Sequence, residues 1–203
     1  MRKILAFICC LMLVVCFAAC GETQETATDT TDSFNPLAFD TKIVAQLTQT
    51  DLEMELLFDK IETLTNGFDI SEATLVAGQN MRNYANAIKE IVYPEGDYAA
   101  EFYQTAAGLY INHMVLFTTY LGLLGLETEG YGLDNPETIA ILGADNIEGM
   151  QELVDNEGNL EEINTTRHQV MSARYSFLLD CGEFKDEDAV AEHIAQYPYP
   201  VEH

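Results

Sequence analysis

The sequence predicts an all-α protein: a single bundle of about five to six helices, reached through a flexible N-terminal tether. Apolar residues recur at three- and four-residue steps through most of the chain beyond residue 36, which is the period of a helix face. No comparable run alternates with period two, so an extended sheet is excluded. The stretch 36–203 is also long enough to bury about 70% of its unfolded surface, sufficient for a core of its own.

The N-terminal residues read as an export segment. Arg2 and Lys3 precede an uncharged apolar run from Ile4 to Ala19 that ends in small residues. At 1.5 Å per residue that run reaches roughly 24 Å, short of the 30 Å hydrocarbon core of a bilayer. At Ala18-Ala19-Cys20-Gly21 the segment resembles the lipobox of bacterial lipoproteins. The resemblance implies removal of 1–19, acylation of Cys20 (palmitate among its chains) and anchoring at the cell membrane or outer membrane on the extracytoplasmic side. Cysteine usage agrees with it. Cys9, Cys10 and Cys16 leave with the signal and Cys20 carries the lipid, which leaves Cys181 without a disulfide partner. Residues 20–35 are rich in Thr and acids and poor in apolar groups, the composition of a flexible acidic linker. The expected organisation is therefore signal peptide 1–19, lipidated linker 20–35 and helical domain 36–203.

Each helix has its own signals. Asn35-Pro36 supplies a cap and a first-turn proline. Ile43, Leu47, Met54, Leu57, Phe58, Ile61 and Leu64 then form an inward face, and Asn66-Gly67 is expected to stop the helix in a left-handed turn. A second helix is expected from Asp69 or Ser71, with Leu75, Met81, Tyr84, Ala85, Ile88 and Val92 inward and Pro94 as its end. A third runs from about Asp97 to Leu126, followed by a break between Gly122 and Gly132. Short helices follow Asn135-Pro136 and span about 146–154, interrupted at Asn156-Glu157-Gly158. A long helix near 159–180 turns Leu160, Ile163, Val170, Met171, Tyr175, Phe177 and Leu178 inward. A last one, at 186–196, does so with Ala189, Val190, Ile194 and Ala195.

Charge narrows the function. The chain has 9 basic and 34 acidic residues, net −25. Nine scattered basic residues cannot neutralise a phosphate backbone, so nucleic acid is excluded as a partner, and so is docking on anionic lipid through a basic face. The remaining partners are the membrane through the lipid, an envelope protein, a cationic ligand or a divalent cation. Asp145, Glu148, Glu152 and Asp155 share one helix stripe by their spacing, where like charges repel and oxygen-rich ligands suit calcium. Asp155 to Thr166 nevertheless fails the EF-hand template, because Leu160 and Thr166 stand where Gly and Glu are required.

The uncharged run Gln104–Leu126 is long enough to span a bilayer, but its Gln104, Asn112, His113 and Thr118 favour a central bundle helix. Asn112, His113 and Tyr110 on it, with His168 on the later helix, are the candidate ligand-binding residues. A cofactor or catalytic centre at His113 and His168 is the alternative reading. Enzyme templates are missing: no Gly-x-Ser-x-Gly, no His-Glu-x-x-His, no phosphate loop and no haem-attachment motif occurs. The expectation is a membrane-anchored binding or interaction domain, without a catalytic residue assigned and without a resident cofactor beyond a calcium ion at the acidic stripe.

Overall fold

The computed structural model describes residues 34–199, and the lipobox with Cys20 lies outside them. The protein is an all-α helical bundle, with 78% of the described residues in helices and no strand among them. The helices are α1 (Pro36–Ile61), α2 (Gly67–Lys89), α3 (Tyr98–Thr128), α4 (Pro136–Leu142), α5 (Ala144–Asp155), α6 (Leu160–Asp180) and α7 (Glu187–Gln196). Two of them, α4 and α5, are the short helices expected after Asn135-Pro136 and near 146–154. The chain divides into two compact units. One comprises 57–79 with 116–158, the other 34–56, 80–115 and 159–199.

The first unit is built on small residues. A Cβ added at Gly78 would stand 2.7 Å from Thr118 Oγ1, and one at Gly122 2.7 Å from Thr74 Oγ1. A Cβ at Gly125 would stand 2.6 Å from the carbonyl oxygen of Gly67. Backbones of α2 and α3 therefore approach where at least one of the two carries no side chain, and Ser71 Oγ donates to Gly122 O at 2.7 Å across the crossing. This corrects two expectations. Gly67 does not end α1 in a left-handed turn. It opens α2, with its N–H donating to Glu129 Oε1 and the Phe68 N–H donating to Asn66 Oδ1. Gly122 and Gly125 lie inside α3 rather than in a break, because close packing on α2 offsets the helix cost of glycine. Beyond the crossing, Leu123, Leu142 and Met150 form a core completed by Leu133, Ile141, Ile147 and Val154.

The second unit is aromatic. Phe39 lies 5.1 Å from Phe177 and 6.2 Å from Tyr103 between ring centroids, with Tyr93 at 6.0 Å. Ile43, Leu47, Met81, Ile88, Ile111, Val170 and Leu178 extend this core. Asn35 Oδ1 accepts from the Ala38 N–H, so α1 starts at the expected cap. Some inward assignments fail. Val92 follows the end of α2 and is 85% exposed, because Gln104 Nε2 takes the final carbonyls of that turn, Ile88 and Ile91, and the chain leaves the helix there. Phe58, Leu160, Met171 and Ala195 are exposed. On α7 the buried position after Val190 is His193, one turn on, rather than Ala195.

Candidate functional site

The most developed polar constellation lies in the second unit around Asp40. On α1 this residue follows Phe39 and precedes Ile43 by three positions, so helix geometry turns it inward with the apolar stripe. It is fully buried, as is Arg174, which α6 places between Val170 and Phe177 in the same way. Arg174 grips the carboxylate with two hydrogen bonds, Nε to Oδ1 at 2.8 Å and Nη2 to Oδ2 at 2.9 Å. The Tyr103 hydroxyl donates to Oδ1 at 3.0 Å, and His193 Nε2 lies 3.2 Å from Oδ2. Four donors occupy the four lone-pair directions of one carboxylate, so Asp40 is saturated. Burial, then the Asp40 charge, holds the Tyr103 phenol well above its ordinary value, with Arg174 opposing. The His193 ring sits 5.1 Å from both Phe184 and Tyr197. Arg174 Nη1 is buried without a hydrogen-bond partner. With every lone pair of Asp40 taken, this node holds α1, α3, α6 and α7 together.

A second node involves the expected ligand residue Tyr110. Its hydroxyl donates to Asp51 Oδ1 at 2.6 Å, and Arg167 Nη2 stands 3.9 Å from Oδ2. Tyr199 packs edge-on against it, with ring centroids 6.2 Å apart. Burial first, and the Asp51 charge second, raises the Tyr110 phenol. Tyr110 is thus a buried donor.

The remaining expected site residues do not converge. Asn112 is exposed, whereas His113 beside it is half-buried with Nδ1 lacking a hydrogen-bond partner. Burial lowers the His113 imidazole, and the Glu162 charge pulls it back up. His168 is exposed and its Nδ1 bonds to the carbonyl of Asn164 in its own turn at 2.7 Å. No hydrogen bond joins the two histidines among the described residues. Asp145, Glu148, Glu152 and Asp155 lie exposed on α5, opposite buried Met150 and Leu153, as their spacing requires. Asp155 Oδ1 accepts from Gln151 Nε2. Among the described residues no group of three or more His, Cys, Asp or Glu is arranged to hold a metal ion. The Cys181 thiol is half-buried, donates to Leu178 O at 3.1 Å, and is raised chiefly by burial.

Sequence reasoning missed Asp40, Arg174 and His193. Their signal was present: each is a polar residue at a position where the apolar period of its helix points inward. No family model, curated protein or solved structure matches the chain.

Proposed function

We propose that the chain is a lipid-anchored extracytoplasmic protein whose helical domain works by binding at the membrane surface. The observation that carries the anchor is the basic start, apolar run and Ala18-Ala19-Cys20-Gly21 ending. The reading of the domain as an interaction module is supported by α3. It is the one helix among the described residues long and apolar enough to cross a membrane, yet half of its apolar window is buried inside the protein. A helix that its own bundle covers only in part, leaving Leu109 and Leu116 exposed, is suited to receiving a partner. The chain's net charge of −25 further favours envelope proteins or cationic ligands over anionic ones.

Metabolic labelling with a clickable palmitate analogue tests the anchor. The full chain should take up label and sediment with membranes, and Cys20→Ala should lose the label. An unlabelled full chain, or a Cys20→Ala chain that still labels, overturns the reading.

A further inference from the structure

We propose that the exposed aromatic face at the start of α3 receives an arginine-bearing, extended segment of a partner protein. Tyr98 is 79% exposed and Phe102 58%, while Tyr103, Ala106 and Ala107 fill the core side of the same helix. Standing four positions apart, the two exposed rings leave one side of α3 about 6 Å apart along its axis. Glu101, also exposed, shares that side, three positions after Tyr98. Half-buried Tyr93 lies close by and packs edge-on against Phe39, with ring centroids 6.0 Å apart. Burial first, then the charges of Glu101 and Asp97, raises its phenol, so both carboxylates stand near that ring. Asp97 is fixed as the cap of α3, its Oδ1 accepting from the Ala100 N–H at 3.0 Å. Rings and carboxylates are thus interleaved at this end of the second unit.

Charge selects the occupant. From residue 90 to residue 166 the chain has no Lys or Arg. Among the described residues Glu95, Asp97 and Glu101 take part in no salt bridge. A second copy would bring the same carboxylates against them. A bilayer would have to strip water from those carboxylates to take up the rings. A guanidinium satisfies both halves of the face at once, stacking on a ring while its N–H fork binds a carboxylate. The lysine ammonium has neither a plane to stack nor a fork, so arginine fits better.

Spacing selects the conformation of the partner. Alternate residues of an extended strand stand about 6.6 Å apart on one face, close to the step from Tyr98 to Phe102. Two arginines separated by one residue therefore reach both rings together, within range of Glu101. The inference deepens the reading of the helical domain as an interaction module and rests on that reading. It does not need the lipid anchor, so the contact forms in detergent solution as well as at a membrane.

Fluorescence anisotropy of the full chain in mild detergent tests the contact, with a dye-labelled Arg-Ser-Arg-Ser-Arg peptide as the probe at about 0.15 M salt. Wild type should bind this peptide more tightly than its lysine counterpart. Tyr98→Ser with Phe102→Ser keeps every charge and should weaken binding about tenfold. Because both side chains are exposed, that variant should keep the wild-type urea midpoint, which separates lost binding from lost folding. Glu101→Gln should weaken binding about threefold. Glu148→Gln with Glu152→Gln removes two charges from α5, far along the chain, and should change it less than about twofold. Binding that survives the aromatic variant, or that falls as much with the α5 variant, overturns the proposal and leaves only attraction by bulk charge. Absence of binding by wild type overturns both this face and the reading of the domain as a binder of cations. A polarity-sensitive dye on Thr105→Cys, in the chain's own membranes, should shift to the blue only when peptide is added. A blue shift before peptide overturns the proposal in favour of a lipid-facing surface. Palmitate uptake measured on the same samples keeps failure of the anchor distinct from failure of the contact.

Discussion

The two units of this bundle solve the same problem, joining helices, with opposite materials. In the unit formed by 57–79 and 116–158, α2 and α3 meet where Gly67, Gly78, Gly122 and Gly125 let backbone approach side chain or backbone. The hydrogen bonds there come from small hydroxyls, Ser71 to the carbonyls of Gly67 and Gly122 and Thr128 to that of Gly125. The other unit joins its helices with large side chains, the Phe39 aromatic cluster and the buried Asp40–Arg174 pair. Backbone approach has no tolerance for added volume. A buried charge has no tolerance for a lost partner. The expected mutational profiles differ accordingly.

The largest effect is expected at the charge node. Asp40→Asn leaves the Arg174 guanidinium buried and uncompensated, which costs about 3–5 kcal/mol of stability. Urea unfolding measures it. The double variant Asp40→Leu with Arg174→Met removes both charges and should recover most of that loss, because desolvation of the pair disappears with it. If Asp40→Asn proves neutral, the node is not what joins these helices, and the contrast between the units fails.

The glycine crossing comes next. Gly125→Ala brings a methyl against the Gly67 carbonyl, and because the obstacle is backbone, a helix must shift. The expected cost is about 1–3 kcal/mol, the usual penalty of overpacking. Gly149→Ala in α5 is the matched control, since a Cβ there meets nothing within 4 Å. It should stabilise by about 0.5–1 kcal/mol through helix propensity alone. Opposite signs for the same chemical change, within one unit, would separate packing from propensity. Equal signs would mean that α2 and α3 have slack.

These features differ in how far the sequence revealed them. The positions of α1, α3, α6 and α7 were legible because caps and apolar period agree, as at Asn35-Pro36 and at Asp186, whose Oδ1 accepts from the Ala189 N–H. The start of α2 was not, because Asn66-Gly67 has the same composition as a helix stop and only the approach of Gly125 decides otherwise. The charge node was missed, although its inward positions were readable, for a related reason. Pattern reading assigns Asp40 and Arg174 to the surface by type, and their partnership spans 134 residues of sequence. Among candidate residues, Tyr110 was found through its place on the uncharged third helix, beside Asn112 and His113. Asn112 and His113, being adjacent on a helix, point to different surroundings, which adjacency in sequence hides.

The smallest effect near neutrality, and the sharpest contrast, concerns pH. All the fully buried tyrosines, Tyr103, Tyr110 and Tyr199, belong to the charge-node unit, whereas Tyr120 and Tyr131 of the other unit are half-buried. Burial, with carboxylates beside Tyr103 and Tyr110, raises all three phenols above their ordinary value of 10.0. Their folded values exceed the unfolded one, so the stability they contribute is fully present below pH 10 and is lost as pH rises from there toward the folded values. Below pH 10 nothing should change. Above it, the charge-node unit should weaken first. Methionine methyl signals report this residue by residue: Met54, Met81 and Met114 lie in the charge-node unit and Met150 in the other. In urea at about pH 11, about one unit above the phenol's unfolded value, the first three should lose their native shifts at lower denaturant than Met150. At pH 8 that gap should shrink. Tyr103→Phe should flatten the alkaline fall, since one phenol no longer ionises on unfolding. Concerted loss of all four signals at both pH values would show instead that the two units unfold as one.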